Sequence, residues 1–296
     1  MKLLIVVFGA AMLLGFALWA NKKPQEKPTI VASNFVGYDL ARAVIGSDEG
    51  IKLVVAPGSD LHHYEPSQQD VIDIKQSKLF IYAGGESEMW VEGLFNDRQE
   101  SNTLRLIDTD GLKLLKEDGE DENDEHFWAS PSNYLLMLGA VEAKMAEIDP
   151  ENADKYKENA NDYREQIREL DGNIRDMIAS TNKKTVVFAD RFPAKYFFEE
   201  YGLDYIAAFP GCAEDTEADA ATISNLINLI KLKKINAVFT IELSDKRLAN
   251  TIAGSTRVKI LGFQSLQNIS KDDFANNKTY VDLMTENIEP LREALD

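Results

Sequence analysis

Residues 29–44, TIVASNFVGYDLARAV, read as a strand that turns at once into a helix. Thr29 to Ala32, β-branched at its first three positions, suits an extended segment. Val36, Leu40, Ala43 and Val44 then recur at the spacing of one helical face. The same alternation continues downstream. A strand at Leu53 to Val55 leads into the loop PGSDLHHYEPS (57–67), a helix begins near Gln68, and a third strand, Leu79 to Ala83, ends at Gly84-Gly85. A fourth short strand covers Leu104 to Ile107. Strands alternating with helices imply a parallel sheet covered on both faces.

At Asp149-Pro150 the period changes. Asp149 is placed to cap a helix and Pro150 suits its first position. Tyr156, Ala160, Tyr163, Ile167, Leu170, Ile174 and Met177 then follow in four-three alternation, so one long amphipathic helix is expected, with a narrow apolar stripe that joins two bodies. Beyond it strands are expected at Thr185 to Phe188, Leu203 to Phe209, Ala237 to Ile241 and Val258 to Phe263. The expected fold class is α/β: two lobes, each a mainly parallel sheet flanked by helices, joined by the long helix. Four segments follow: a signal or anchor segment with its tether over 1–27, an N-terminal lobe over 28–148, the connecting helix over 149–181 and a C-terminal lobe over 182–296. A cleft between two such lobes, at the carboxyl ends of their strands, is where ligands bind in sheets of this kind.

Fifty acidic against 32 basic side chains leave a formal charge of -18, which repels nucleic acid and attracts cations. Cys212 is the only cysteine, so no internal disulfide and no CxxC motif can form, and a metal site must be built mainly from histidine and carboxylate. There are 3 histidines. Residues 3–20, LLIVVFGAAMLLGFALWA, form an unbroken apolar run bracketed by Lys2, Lys22 and Lys23, which marks an exported or membrane-embedded segment. Leu18 stands where a signal peptidase wants a small residue, so an uncleaved anchor is expected, followed by the polar tether NKKPQEKP (21–28). The protein is thus expected to be extracytoplasmic, held to the membrane by this segment or periplasmic.

His62 and His63 lie in a loop past one strand, and His126 lies in another, within KEDGEDENDEHFWASP (116–131). All three fall on the cleft side of the first lobe. A loop histidine is equally at home as a surface residue, and from position alone both readings stay open.

His62-His63-Tyr64-Glu65-Pro66, after Pro57-Gly58-Ser59-Asp60, resembles the PHxYEP loop of the metal-binding receptors of ABC importers, the group that includes zinc and manganese receptors. Asp124-Glu125-His126-Phe127-Trp128-Ala129-Ser130-Pro131 resembles that family's DxHxWxSP segment, Asp149-Pro150-Glu151-Asn152 is similar to the start of its long helix, and residues 280–287, YVDLMTEN, are similar to its C-terminal helix. The resemblance runs from about Thr29 to the end. It implies His62 and His126 as ligands, each a neutral imidazole with its second nitrogen held by an acceptor such as Glu65 or a backbone carbonyl. His63 stands at the variable position beside them. Two departures stand out: Leu61 replaces the proline before the first histidine, and Ala189 stands where many members have a third ligand, histidine or glutamate. Asp190 is the substitute within reach, although it could instead cap a helix or pair with Arg191. Glu242, in VFTIELSDKRLA (238–249), falls where the family carries a further carboxylate ligand; it could instead cap the next helix, but Ser244 or Asp245 would do that better, which makes Glu242 the firmer carboxylate of the two. Cys212 is a soft donor or simple packing, and the acidic residues Glu214, Asp215, Glu217 and Asp219 read as solvated surface.

The resemblance implies a monomeric receptor that binds one divalent metal, zinc in preference to manganese, and passes it to the permease and ATPase of an ABC importer. A manganese or iron receptor, or a surface adhesin with a structural metal, is the alternative. An enzyme is not expected: no HExxH, nucleophile elbow or phosphate loop is present.

Overall fold

The computed structural model describes residues 29–95, 102–117, 122–209 and 220–296. The opening βα unit is β1 (Ile30–Ala32) and α1 (Phe35–Ile45). Asn34 caps α1 by accepting from the Gly37 amide, and Gly46 ends it with φ +82°, a left-handed conformation that glycine adopts freely. With β2 (Ile51–Leu53), α2 (Gln68–Gln76), β3 (Leu79–Tyr82) and β4 (Thr103–Arg105), the first sheet has the order β2-β1-β3-β4 and is parallel throughout. The second sheet repeats it. β5 (Thr185–Phe188), α5 (Lys195–Tyr201), β6 (Asp204–Ala207), α6 (Ala220–Lys233), β7 (Ala237–Ile241), α7 (Arg247–Thr256) and β8 (Lys259–Phe263) give the parallel order β6-β5-β7-β8. The first strand of each lobe therefore has a neighbour on either side reached by crossovers in opposite directions, the arrangement that opens a crevice at the carboxyl ends.

Between the sheets run α3 (Pro131–Ile148) and the long helix α4 (Ala153–Ser180). All seven residues of the expected stripe in α4 are buried, against α1 and α3 on one side and the C-terminal helices α9 (Tyr280–Thr285) and α10 (Ile288–Leu295) on the other. Asp149 does not cap α4. It closes α3, residues Pro150–Asn152 form a short 3₁₀ turn, and the Asp149 carboxylate is taken by the Tyr156 hydroxyl at 2.7 Å and the Asn152 amide at 2.9 Å.

One apolar cluster extends from Ile30 and Leu79 of the first lobe, through the α4 stripe, to Phe188 and Phe239 of the second. A buried polar knot reinforces it. Asp39 of α1 accepts from the Tyr134 hydroxyl at 2.7 Å, the Tyr163 hydroxyl at 2.6 Å and Arg42 Nε at 3.0 Å, while Arg42 also donates to the carbonyl of Lys278. α1, α3, α4 and the segment leading to α9 are thereby held together; α8 (Lys271–Ala275) precedes that segment. Among the described residues no helix is long and apolar enough to cross a membrane. The apolar run 3–20, the tether and Cys212 with its acidic loop lie outside the described residues.

Candidate metal centre

The loop between β2 and α2 is braced before it reaches its histidines. Tyr64 packs edge-on against Trp90 at 5.4 Å between ring centroids and donates to Asp70 at 2.8 Å. Asp70 also closes the capping box of α2 and pairs with Lys52, and these bonds outweigh burial to hold its carboxyl down at about 2. Leu61 is buried and its amide donates to Asn268 Oδ1 at 3.0 Å. A proline at that position would have no N–H to give, so the departure from the family motif creates a bond to the second lobe. Asp60 accepts the His62 amide at 3.0 Å through one oxygen and Arg191 at 3.1 Å through the other. Burial alone would raise this carboxyl, but those two partners hold it below its usual value. His63 and Glu65 are exposed.

Six residues of DEHFWASP have separate tasks. Asp124 Oδ1 accepts the His126 amide at 2.8 Å and lies 3.0 Å from His126 Nδ1, which settles the ring's orientation. Trp128 donates across the cleft to the carbonyl of Ser265 at 3.2 Å. Ser130 caps α3 by accepting from Asn133, and Pro131 takes the first helical position. Glu125 points toward the turn that follows β3, where its Oε2 accepts both the amide and the hydroxyl of Ser87 at 2.9 and 2.8 Å. Gly85 makes this possible: a Cβ there would sit 2.2 Å from Glu125 Oε2.

These two loops bring His62, Glu125 and His126 together, with one donor atom from each lying within 4.8 Å of the others. His62 Nδ1 is 3.7 Å from Glu125 Oε1, the two imidazole centroids are 6.4 Å apart, and the side chains are 7%, 8% and 0% exposed in chain order. His62 Nε2 is buried without a hydrogen-bond partner, a costly state for a polar atom unless a ligand takes it up. Burial lowers the His62 pKa and neighbouring His126 lowers it further, against the pull of Glu125, so the ring is neutral and able to ligate near pH 7. Donor atoms of Glu117, Asp124 and His126 also lie within 4.8 Å of one another, a second trio that shares His126.

The second lobe's carboxylates are engaged elsewhere. Asp190 accepts from the amides of Arg191 at 2.9 Å and Ile241 at 3.4 Å, tying the end of β5 to β7. Glu242 accepts from the Ser265 amide at 2.9 Å, the Ser265 hydroxyl at 2.7 Å and the Asn268 amide at 3.1 Å, and desolvation raises its pKa despite those bonds. Neither joins a trio of metal-binding atoms among the described residues. Ala189 is buried, and its amide donates to Phe239 O at 2.8 Å. The loop that Glu242 organises carries Ser265, bonded to Trp128, and Asn268, bonded to Leu61. Glu242 therefore acts on both histidine loops at one remove.

The model of the family described as ZnuA, zinc-uptake complex component A, periplasmic, matches residues 30–294. The chain is 24% identical to the zinc-binding lipoprotein AdcA of Streptococcus pneumoniae serotype 4, aligned over 100% of this chain and 62% of that protein, so it spans about six-tenths of that relative's length. It is 22% identical to the high-affinity zinc uptake system protein ZnuA of Bacillus subtilis, over 91% of this chain and 88% of that one. Among solved structures, the Zn(II)-bound ZnuA-like domain of Streptococcus pneumoniae AdcA superposes with a TM-score of 0.78 at 26% identity, covering 91% of this chain and 99% of the domain.

Proposed function

The chain belongs to the zinc-uptake complex component A family, and from that premise we propose that it is an extracytoplasmic receptor that binds one zinc ion and hands it to the permease and ATPase of an ABC importer. The observation that carries this reading is the enclosed meeting of His62 and His126, with donor atoms of both and of Glu125 within 4.8 Å of one another, on the two motifs that resemble the histidine loops of such receptors. Asp124 orients His126, and burial keeps His62 neutral, so the His62 imidazole is available without a prior proton loss near pH 7. Zinc outranks manganese at nitrogen and oxygen donors, and small, enclosed imidazole pockets favour its low coordination number. The apolar run 3–20 supports tethering to the outer face of the membrane.

Elemental analysis of protein purified without chelator tests the reading. One zinc per chain is expected, lost in His62→Ala and in His126→Ala and retained in His63→Ala. Zinc at ~1,000 times its dissociation constant should add ~4 kcal/mol of stability, read as a higher Tm. Unchanged zinc content in His126→Ala overturns the assignment.

A further inference from the structure

We infer that Glu125 is the third protein ligand of the bound metal, so that His62, Glu125 and His126 hold the ion from the first lobe alone and leave one coordination position open. The inference rests on the receptor reading above and adds to it the identity of the ligand set. Glu125 stands at a position the motif leaves variable, and nothing in its sequence neighbourhood singles it out.

Four observations converge on it. Glu125 Oε2 is fixed by two donors from Ser87, which leaves Oε1 on the side of His62. The 3.7 Å between that oxygen and His62 Nδ1 is too long for a hydrogen bond. It is close to the separation of about 3.3 Å that two donors adopt across a tetrahedral zinc with bonds of about 2.0–2.1 Å. One donor atom from each of His62, Glu125 and His126 lies within 4.8 Å of the other two. Finally, Gly85 supplies the room that the carboxylate occupies, since any side chain there would collide with it.

The other carboxylates lack this geometry. Using Asp190 would strip the Arg191 and Ile241 amides of their acceptor, and using Glu242 would strip Ser265 and Asn268. Part-buried donors left without acceptors cost about 1 kcal/mol or more each, whereas Glu125 can offer Oε1 while Oε2 keeps both of its bonds. The resulting two imidazoles and one carboxylate form a three-ligand site with a fourth position open to water or an incoming ligand. A carrier that must release its cargo gains from that. In this scheme the second lobe braces the site through Asn268 and Ser265 and donates nothing to the metal.

The test is zinc affinity by chelator competition on the full chain, together with the visible spectrum of the cobalt(II)-loaded protein. Glu125→Gln should lose roughly 100-fold in zinc affinity and alter the cobalt bands, while Asp190→Ala stays within about threefold of wild type. Glu125→Asp, which keeps a carboxylate on a shorter arm, should fall between. Apo Tm values separate ligand loss from misfolding. Affinity of Glu125→Gln within about threefold of wild type overturns the inference, as does weakened zinc with an unchanged cobalt spectrum, which would make Glu125 a positioning residue for His62. Either result leaves the receptor reading intact so long as His62→Ala and His126→Ala lose zinc; if those two retain it, the receptor reading itself fails.

Discussion

The two lobes have the same strand order and place comparable polar residues at comparable points, yet they use them differently. Two residues past the first strand stands Asn34 in one lobe and Asp190 in the other; past the third strand each lobe encloses a carboxyl group, Glu88 or Glu242. In the first lobe Asn34 caps α1 and donates to Glu88 at 3.1 Å, while the Gly84 amide donates to the other Glu88 oxygen at 2.8 Å. The polar needs of this crevice are met locally, and the loops above it are free to present His62, Glu125 and His126. In the second lobe Asp190 and Glu242 are consumed by main-chain amides, and the loop they shape reaches across to Leu61 and Trp128. One architecture thus serves once to bind and once to brace: the first lobe satisfies its carboxylates locally and presents its histidines, and the second commits its carboxylates to the loop that reaches across.

Glu242→Ala is the harshest way to break this contrast. It leaves the Ser265 amide and hydroxyl and the Asn268 amide without their acceptor, so a loss of about 2–4 kcal/mol in urea unfolding is expected. Zinc affinity should fall less than in Glu125→Gln, because the effect arrives only through the clasp on Leu61 and Trp128. A zinc loss as large as that of His126→Ala would place Glu242 on the metal and end the division of labour.

Much of this was readable in the sequence, and the part that was not has identifiable causes. Runs such as TVVF and AVFTI are β-branched and aromatic, and the strands β5 and β7 fall where those runs stand. The stripe of α4 was legible because one face alone is apolar. α3 was not. PSNYLLMLGAVEAKMAEI carries four consecutive apolar residues and a weak period, and the Ser130-Pro131 start signal was absorbed into the metal motif. His62 and His126 could be carried over from motif positions. Glu125 could not, since its placement depends on Ser87 and Gly85, some 40 residues away in the chain. The bonds of Asp190 and Glu242 were equally invisible: their partners are the amides of Ile241, Ser265 and Asn268, and a sequence does not reveal which main-chain N–H groups a fold leaves open.

Glu88 sharpens the comparison from the binding side through pH. Desolvation pushes its carboxyl up to about 7, against hydrogen bonds from Ser33 and Gly84 that favour the charged form. Its unfolded value is the ordinary one near 4.5. The folded state therefore holds the proton more tightly, so this contribution to stability is fully present below about 4.5 and is lost as pH rises through about 7. Urea unfolding of chelator-treated protein should show stability declining over that window by roughly 3 kcal/mol, and Glu88→Gln should flatten the decline. A slope unchanged in the variant would assign the pH response to another group.

Asp190→Ala carries the smallest expected effect and the most direct test of the second lobe's role. The carboxylate bridges the Arg191 amide, at 2.9 Å, and the Ile241 amide, at the longer 3.4 Å, so one good hydrogen bond and one weak one are at stake. The site is only part-buried, and water can replace the weaker partner, which limits the cost to about 1 kcal/mol. The side chain also lies beside Arg191, whose guanidinium holds Asp60 and through it the His62 amide. A small shift there could move His62, but Asp60 keeps both of its bonds when Asp190 is truncated, and zinc affinity should stay within about threefold of wild type. If Asp190→Ala instead loses zinc as His62→Ala does, the carboxylate must leave its amides when metal arrives. Metal loading would then carry the cost of two unpaired N–H groups and couple the lobes through the ion itself, and the second lobe would be a binding surface held in reserve.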